Sequence, residues 1–153
     1  MLHIPIPRGE DLRLDHLVMD VNGTLSDRGQ LIDGVAERLR RLAEPLALHL
    51  LSADTFGTAE AIAADVGAEL LIIGAGSDKG AYIEALGAHA CVAIGNGAND
   101  APMLQAARLG LAILGPEGAH IATLAAATVA CRSIVDALDL LLEPQVLTAT
   151  LRP

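Results

Sequence analysis

At 153 residues the chain has material for one core. It is 52% apolar but has one Tyr, one Phe and no Trp, so Ala, Leu, Ile and Val must build that core. This excludes an aromatic-rich β-sandwich in favour of an Ala/Leu-rich α/β protein, and a net charge of −9 argues against binding to nucleic acid or to an anionic membrane. No apolar run reaches the ~18 residues of a membrane span, and Glu10, Asp11 and Asp15 do not resemble a signal peptide. Cys91 and Cys131 lie inside apolar runs and read as buried, reduced thiols, so a cytoplasmic protein is expected.

Residues 1–15 alternate Leu2, Ile4, Ile6 and then Leu12, Leu14 around Pro7-Arg8-Gly9-Glu10, which predicts an N-terminal hairpin or arm. Leu17 to Met19 reads as a buried parallel strand ending in Asp20, and Ser26 to Ile32 as a loop or miniature hairpin. Asp33 is placed to cap a helix from Gly34 to about Glu44. Predicted strands then alternate with helices: strand 46–51, helix 58–66, strand 69–73, helix 78–86, strand 91–94, helix 100–108, strand 111–114, helix 118–126, strand 128–131 and helix 133–142, the last stopped before Pro144. Short strands alternating with helices imply right-handed βαβ units, a mainly parallel sheet and a single domain over 1–153. The apolar face of the last helix is wide enough to touch another subunit as well as the sheet, although core packing is the simpler account.

Chemistry-bearing residues fall where these strands end, which is where open α/β sheets hold ligands. Asp20 is followed by Asn22-Gly23-Thr24, a turn that can aim backbone N–H groups at an anion. Ser52 and Ala53 follow the second core strand, and the Ser52 hydroxyl can donate to a phosphate oxygen. Lys79, the only lysine, stands at a helix start, where a compact ammonium can neutralise a phosphoryl group. Asn96 and Asp100 sit in Gly95-Asn96-Gly97-Ala98-Asn99-Asp100, where two glycines allow close approach and a carboxylate can hold a divalent ion. Read singly, each has an ordinary account as a cap, a turn or a solvated side chain. The five histidines have no ligand spacing and read as structural or surface residues, and Asp27 and Asp54 as turn residues near the site.

Taken in order, Asp20-Val21-Asn22-Gly23-Thr24-Leu25, Ser52, Lys79 and Gly95-Asn96-Gly97-Ala98-Asn99-Asp100-Ala101-Pro102-Met103-Leu104 resemble the four motifs of the haloacid dehalogenase superfamily. The stretches 51–63 and 99–102 resemble the phosphorylation domain of P-type ATPases, so the chain looks like a small soluble P-type-ATPase-like hydrolase. The resemblance implies a three-layer, Rossmann-like α/β domain with the first core strand central and no cap domain. It implies that Asp20 is a nucleophile forming an aspartyl-phosphate, and that Ser52, Ala53, Lys79, Gly23 and Thr24 bind the phosphoryl group. It also implies Mg²⁺ held by Asp20, the Asn22 carbonyl, Asn96 and Asp100. The partner is then a small phosphorylated substrate, with the open site bare or covered by a second copy in a homo-oligomer.

The pattern departs at two positions that are commonly Asp in the superfamily. Asn22 stands at the general acid/base position, and an amide transfers no proton. That help is typically worth about 10²- to 10⁴-fold. Asn96 offers an uncharged oxygen in place of a carboxylate. Both asparagines precede glycine, a context that predicts deamidation. The reading is a Mg²⁺-dependent phosphohydrolase favouring good leaving groups. The alternative is a low-turnover phosphate- or nucleotide-binding regulatory domain.

Overall fold

A computed structural model describes residues 1–53, 57–73 and 75–153. Asp54 lies outside the described residues. Two short strands, β1 (Leu2–Ile4) and β2 (Leu12–Leu14), form the antiparallel N-terminal hairpin. The first core strand is β3 (His16–Asp20), followed by the miniature hairpin of β4 (Ser26–Asp27) and β5 (Gln30–Leu31).

The alternation then runs α1 (Val35–Leu42), β6 (Ala47–Ser52), α2 (Thr58–Val66), β7 (Glu69–Ile72), α3 (Gly76–Leu86) and β8 (Cys91–Gly95). It continues α4 (Ala101–Ala106), β9 (Leu109–Ile113), α5 (Ile121–Ala126), β10 (Val129–Cys131), α6 (Ile134–Leu142) and α7 (Pro144–Leu151). The six core strands form one wholly parallel sheet in the order β10-β9-β8-β3-β6-β7. Helices cover both faces, giving the expected three-layer, Rossmann-like fold.

The core is aliphatic. One face buries Leu17, Met19, Leu50, Val92 and Ile94 against α1, α2 and α6; the other buries Val18, Leu51, Ala93, Ile83, Met103 and Leu104. β3 is central, so side chains on its two faces alternate into the two clusters with the period of two that a strand imposes. Arg38 ties α1 to α6 through Asp139, at 2.7 and 3.2 Å. Cys91 and Cys131 are buried free thiols, as expected.

Three details differ from expectation. Asp33 does not cap α1. Gly34 precedes the helix in a left-handed conformation (φ 84°), and its carbonyl accepts from Arg38. β9 starts at Leu109, two residues before the predicted strand 111–114, so Gly110 lies inside it, where a Cβ would stand 2.5 Å from the Leu104 carbonyl oxygen. Pro144 does not end the helical region. It sits in the first turn of α7, where its missing N–H costs no bond. α7 buries Leu147 and packs on α6. That accounts for part of the wide apolar face of α6 without a second subunit.

Candidate active site

The sheet register sets the site. β3 pairs with β6 so that Asp20 lies opposite Leu51, one residue before Ser52. On its other side Met19 lies opposite Ile94, one residue before Gly95. Asp20, Ser52 and the Gly95-Asn96 turn therefore meet at one carboxyl edge, although 32 and 75 residues separate Ser52 and Gly95 from Asp20.

Asp100 reaches this edge because Gly95 lets it fold back. A Cβ at Gly95 would stand 2.6 Å from Asp100 Cβ. Asp100 Oδ2 accepts from the backbone N–H groups of Asn96 (3.1 Å) and Gly97 (2.9 Å), closing the turn. Its other oxygen, Oδ1, accepts from Lys79 Nζ at 2.7 Å. Lys79 comes from the first turn of α3, which packs closely on α4. A Cβ at Gly76 would stand 3.0 Å from the Asn99 carbonyl oxygen, and one at Gly80 would stand 3.1 Å from Pro102. Lys79 Nζ also donates to Asp20 Oδ1 at 2.9 Å. The Thr24 hydroxyl lies 3.2 Å from Asp20 Oδ2 and 3.2 Å from Asn96 Oδ1, and Asn96 Nδ2 donates to the Gly118 carbonyl at 2.9 Å.

Thus Asp20, Thr24, Lys79, Asn96 and Asp100 form one connected network. Lys79 and Asp100 are wholly buried, and Asp20 is 9% exposed. Burial and the Asp100 charge push the Asp20 carboxyl up to about 6, against the pull of Lys79 and Thr24. Burial alone would lower the Lys79 pKa, but the two carboxylates outweigh it and the net shift is upward. Lys79 is therefore a cation at neutral pH. Two carboxylates share one ammonium, leaving an excess negative charge in the ionised cluster.

Ser52 is buried at the end of β6 and Ala53 follows it, exposed. Asn22 is exposed, two residues after Asp20. Gly23 has φ 77°, the left-handed conformation that glycine adopts freely. The turn after Asp20 is built from its own N–H groups. Gly23 N donates to the Ser26 carbonyl (2.9 Å), and Thr24 N to the Val21 carbonyl (3.2 Å). Gly23 and Thr24 thus shape the cradle with N–H groups that are already engaged. The same bonds bear on deamidation, which requires the following amide nitrogen to attack the Asn side chain. Gly23 N is held by Ser26 and Gly97 N by Asp100, which disfavours that attack at both Asn-Gly pairs.

The side-chain oxygens gathered at this edge are hard donors: two buried carboxylates, the Asn96 amide oxygen and the Thr24 hydroxyl. Among the described residues no group of three His, Cys, Asp or Glu could hold a metal. Two carboxylates with neutral oxygens and excess negative charge fit Mg²⁺, which takes one or two carboxylates and completes its shell with water and phosphate.

The architecture and the donor set can be compared with known proteins. The family model for haloacid dehalogenase-like hydrolases matches residues 7–108. The chain belongs to this family. Two uncharacterized proteins of Methanocaldococcus jannaschii match it at 46% identity over 61 residues and 44% over 39. The first match spans 40% of this chain and 66% of that protein, the second 26% and 89%. Among solved structures, a cobalt-bound deoxy-D-mannose-octulosonate 8-phosphate phosphatase from Haemophilus influenzae superposes with a TM-score of 0.72. It has 16% identity and covers 92% of this chain and 94% of its own. The corresponding Moraxella catarrhalis phosphatase, solved with magnesium, phosphate and its sugar, gives 0.68 at 20% identity over 91% and 94%. A zinc-transporting PIB-type ATPase in its E2.Pi state matches 79% of this chain with 20% of its own, at 28% identity and a TM-score of 0.64. The family member described here is small and capless: no segment between its core strands is long enough to form a second folded unit. No helix among the described residues is long and apolar enough to cross a membrane.

Two features escaped sequence reasoning. The loop after β9 borders the site: His120 N donates to the Asn96 carbonyl at 2.8 Å, and a Cβ at Gly23 would collide with the Glu117 carboxylate. Gly115-Pro116-Glu117-Gly118 follows a strand's carboxyl end, the signal that singled out the other site loops. The second feature is a cluster near the opposite end of the strands. His49 Nε2 lies 3.1 Å from His16, and His49 Nδ1 lies 2.9 Å from the Tyr82 hydroxyl and 3.4 Å from Glu69.

Proposed function

We propose that the chain is a phosphohydrolase that acts through an aspartyl-phosphate at Asp20 on small phosphate esters or anhydrides with good leaving groups. The observation that carries this reading is the buried Asp20 at the end of the central strand, 2.9 Å from the wholly buried Lys79 ammonium. A nucleophile needs its ionised form, and with its carboxyl pushed up to about 6 Asp20 is mostly a carboxylate at neutral pH and above.

In the first step an Asp20 oxygen attacks phosphorus and the bond from phosphorus to the leaving oxygen breaks. The leaving group departs with that electron pair. In the second step water attacks the same phosphorus and the bond from phosphorus to the Asp20 oxygen breaks. Orthophosphate leaves, the water's proton passes to solvent, and the Asp20 carboxylate is regenerated. Lys79 offers its positive charge to the phosphoryl oxygens, and Ser52 a hydroxyl from the adjacent strand end. Asp20, Asp100, Asn96 and the Asn22 carbonyl would hold Mg²⁺, which when bound neutralises phosphoryl charge. Asn22 has no proton to give, so the leaving group must depart without acid help. That favours acyl and aryl phosphates over alkyl ones.

A second reading rests on the two amides. Asn22 removes proton transfer and Asn96 weakens the metal site, so the same cradle suits a phosphate- or nucleotide-binding regulatory domain of low turnover. Hydrolysis of an aryl phosphate with Mg²⁺, compared with the Asp20→Asn variant, separates the two. Turnover that Asp20→Asn abolishes supports the enzyme. Equal and negligible rates overturn it.

A further inference from the structure

Glu117 stands on the site's rim without a role in the chemistry above. Its carboxylate rests on the turn that follows Asp20: a Cβ at Gly23 would collide with it, and that Cβ would stand 3.3 Å from Asn96 Nδ2. Asn96 in turn meets the Thr24 hydroxyl, which meets Asp20. The loop carrying Glu117 is anchored on this edge. Gly118 accepts from Asn96 Nδ2, His120 N donates to the Asn96 carbonyl, and a Cβ at Gly115 would stand 3.3 Å from the Gly23 carbonyl oxygen.

Glu117 is exposed, and among the described residues it forms no ion pair. Arg132, whose carbonyl accepts from Gly115 N at the start of this loop, is paired with Asp136 (3.0 Å). Glu117 therefore brings a carboxylate with no ion-pair partner among the described residues to the edge of a centre that already has an excess negative charge. A cavity of about 290 Å³ adjoins the same loop, between Asp27, Ile32, Pro116, Ile134 and the Asp136-paired Arg132.

We propose that Glu117 is a specificity residue that rejects substrates whose leaving group carries a second negative charge. This rests on the phosphohydrolase reading of Asp20. A like charge at short range is disfavoured, whereas a neutral leaving group can offer hydroxyl donors to the carboxylate. The substrate class is thus a phosphate ester of a small neutral or cationic alcohol, phenol or acid. Nucleoside triphosphates, whose nucleoside diphosphate leaving group is a polyanion, are poor substrates.

The test compares phenyl phosphate with 3-carboxyphenyl phosphate at fixed Mg²⁺, in wild type, Glu117→Gln and Glu117→Asp. Wild type should prefer the neutral ester. Glu117→Gln should shrink that preference about tenfold, mainly through KM, and Glu117→Asp should retain it. An unchanged ratio in Glu117→Gln overturns the proposal. Calorimetric binding of both esters to Asp20→Asn, with and without Glu117→Gln, separates this failure from that of the enzyme reading. Charge discrimination in binding without turnover in wild type leaves Glu117's role standing and removes the hydrolase. Turnover without discrimination does the reverse, and neither overturns both.

Discussion

The Lys79 ammonium lies 2.7 Å from Asp100, with both side chains wholly shut off from solvent, and the same nitrogen reaches Asp20 at 2.9 Å. One cation holds two buried anions. Lys79→Met would leave both carboxylates facing each other without a counter-charge. Breaking such a buried pair costs about 3–5 kcal/mol. Urea denaturation at pH 8 should show a loss of this size, and added Mg²⁺ should recover more stability in the variant than in wild type.

Asp20→Asn should have the opposite effect on stability while abolishing turnover. The Asp20 carboxyl is pushed up to about 6 by burial and by Asp100, so above that pH the fold holds a charge it disfavours. The amide removes it and leaves Lys79 paired one-to-one with Asp100. At pH 8 the melting temperature should rise by roughly 2–4 °C, the shift that about 1 kcal/mol gives in a chain of this size. A fall in melting temperature would mean that the Thr24 and Lys79 bonds to Asp20 outweigh its desolvation.

Asn22 is exposed, two residues after Asp20. Asn22→Asp places a proton donor there. Turnover of alkyl phosphates should rise about 10²-fold, and that of aryl phosphates much less, because only the poorer leaving group needs the proton. Equal gains on both substrates would count against this account of the residue.

His49 gives stability its own pH dependence. Burial and the His16 charge lower its pKa, against a smaller upward pull from Glu69. Tyr82 and His16 also meet the ring. As pH falls below about 6.5 the unfolded chain takes up the proton first, so stability is full above that pH and lost as pH falls through the lowered folded value. The melting-temperature gap between wild type and His49→Gln should shift against wild type from pH 7.5 to 5.5. Asp20 takes up its proton in both proteins, so its contribution cancels in the comparison.

The sequence by itself determined the alternation of strands and helices, because apolar periodicity and glycine punctuation are local. It also marked Asp20, Ser52, Lys79 and Asp100, each at the end of a predicted strand or the start of the helix that follows. α7 was not legible because Pro144 reads equally as the end of one helix and the first turn of another. Only the tertiary structure decided which residues share a charge. Lys79 at a helix start reads as a solvated cation until α3 packs on α4 through Gly76 and Gly80 and seals it between two acids. Glu117 was invisible for a related reason. It lies 94 residues from Gly23, and its contact exists because β9, β8 and β3 are neighbours in the sheet. Local pattern sets which elements form, whereas strand order and close backbone packing set which charges meet and what each of them costs.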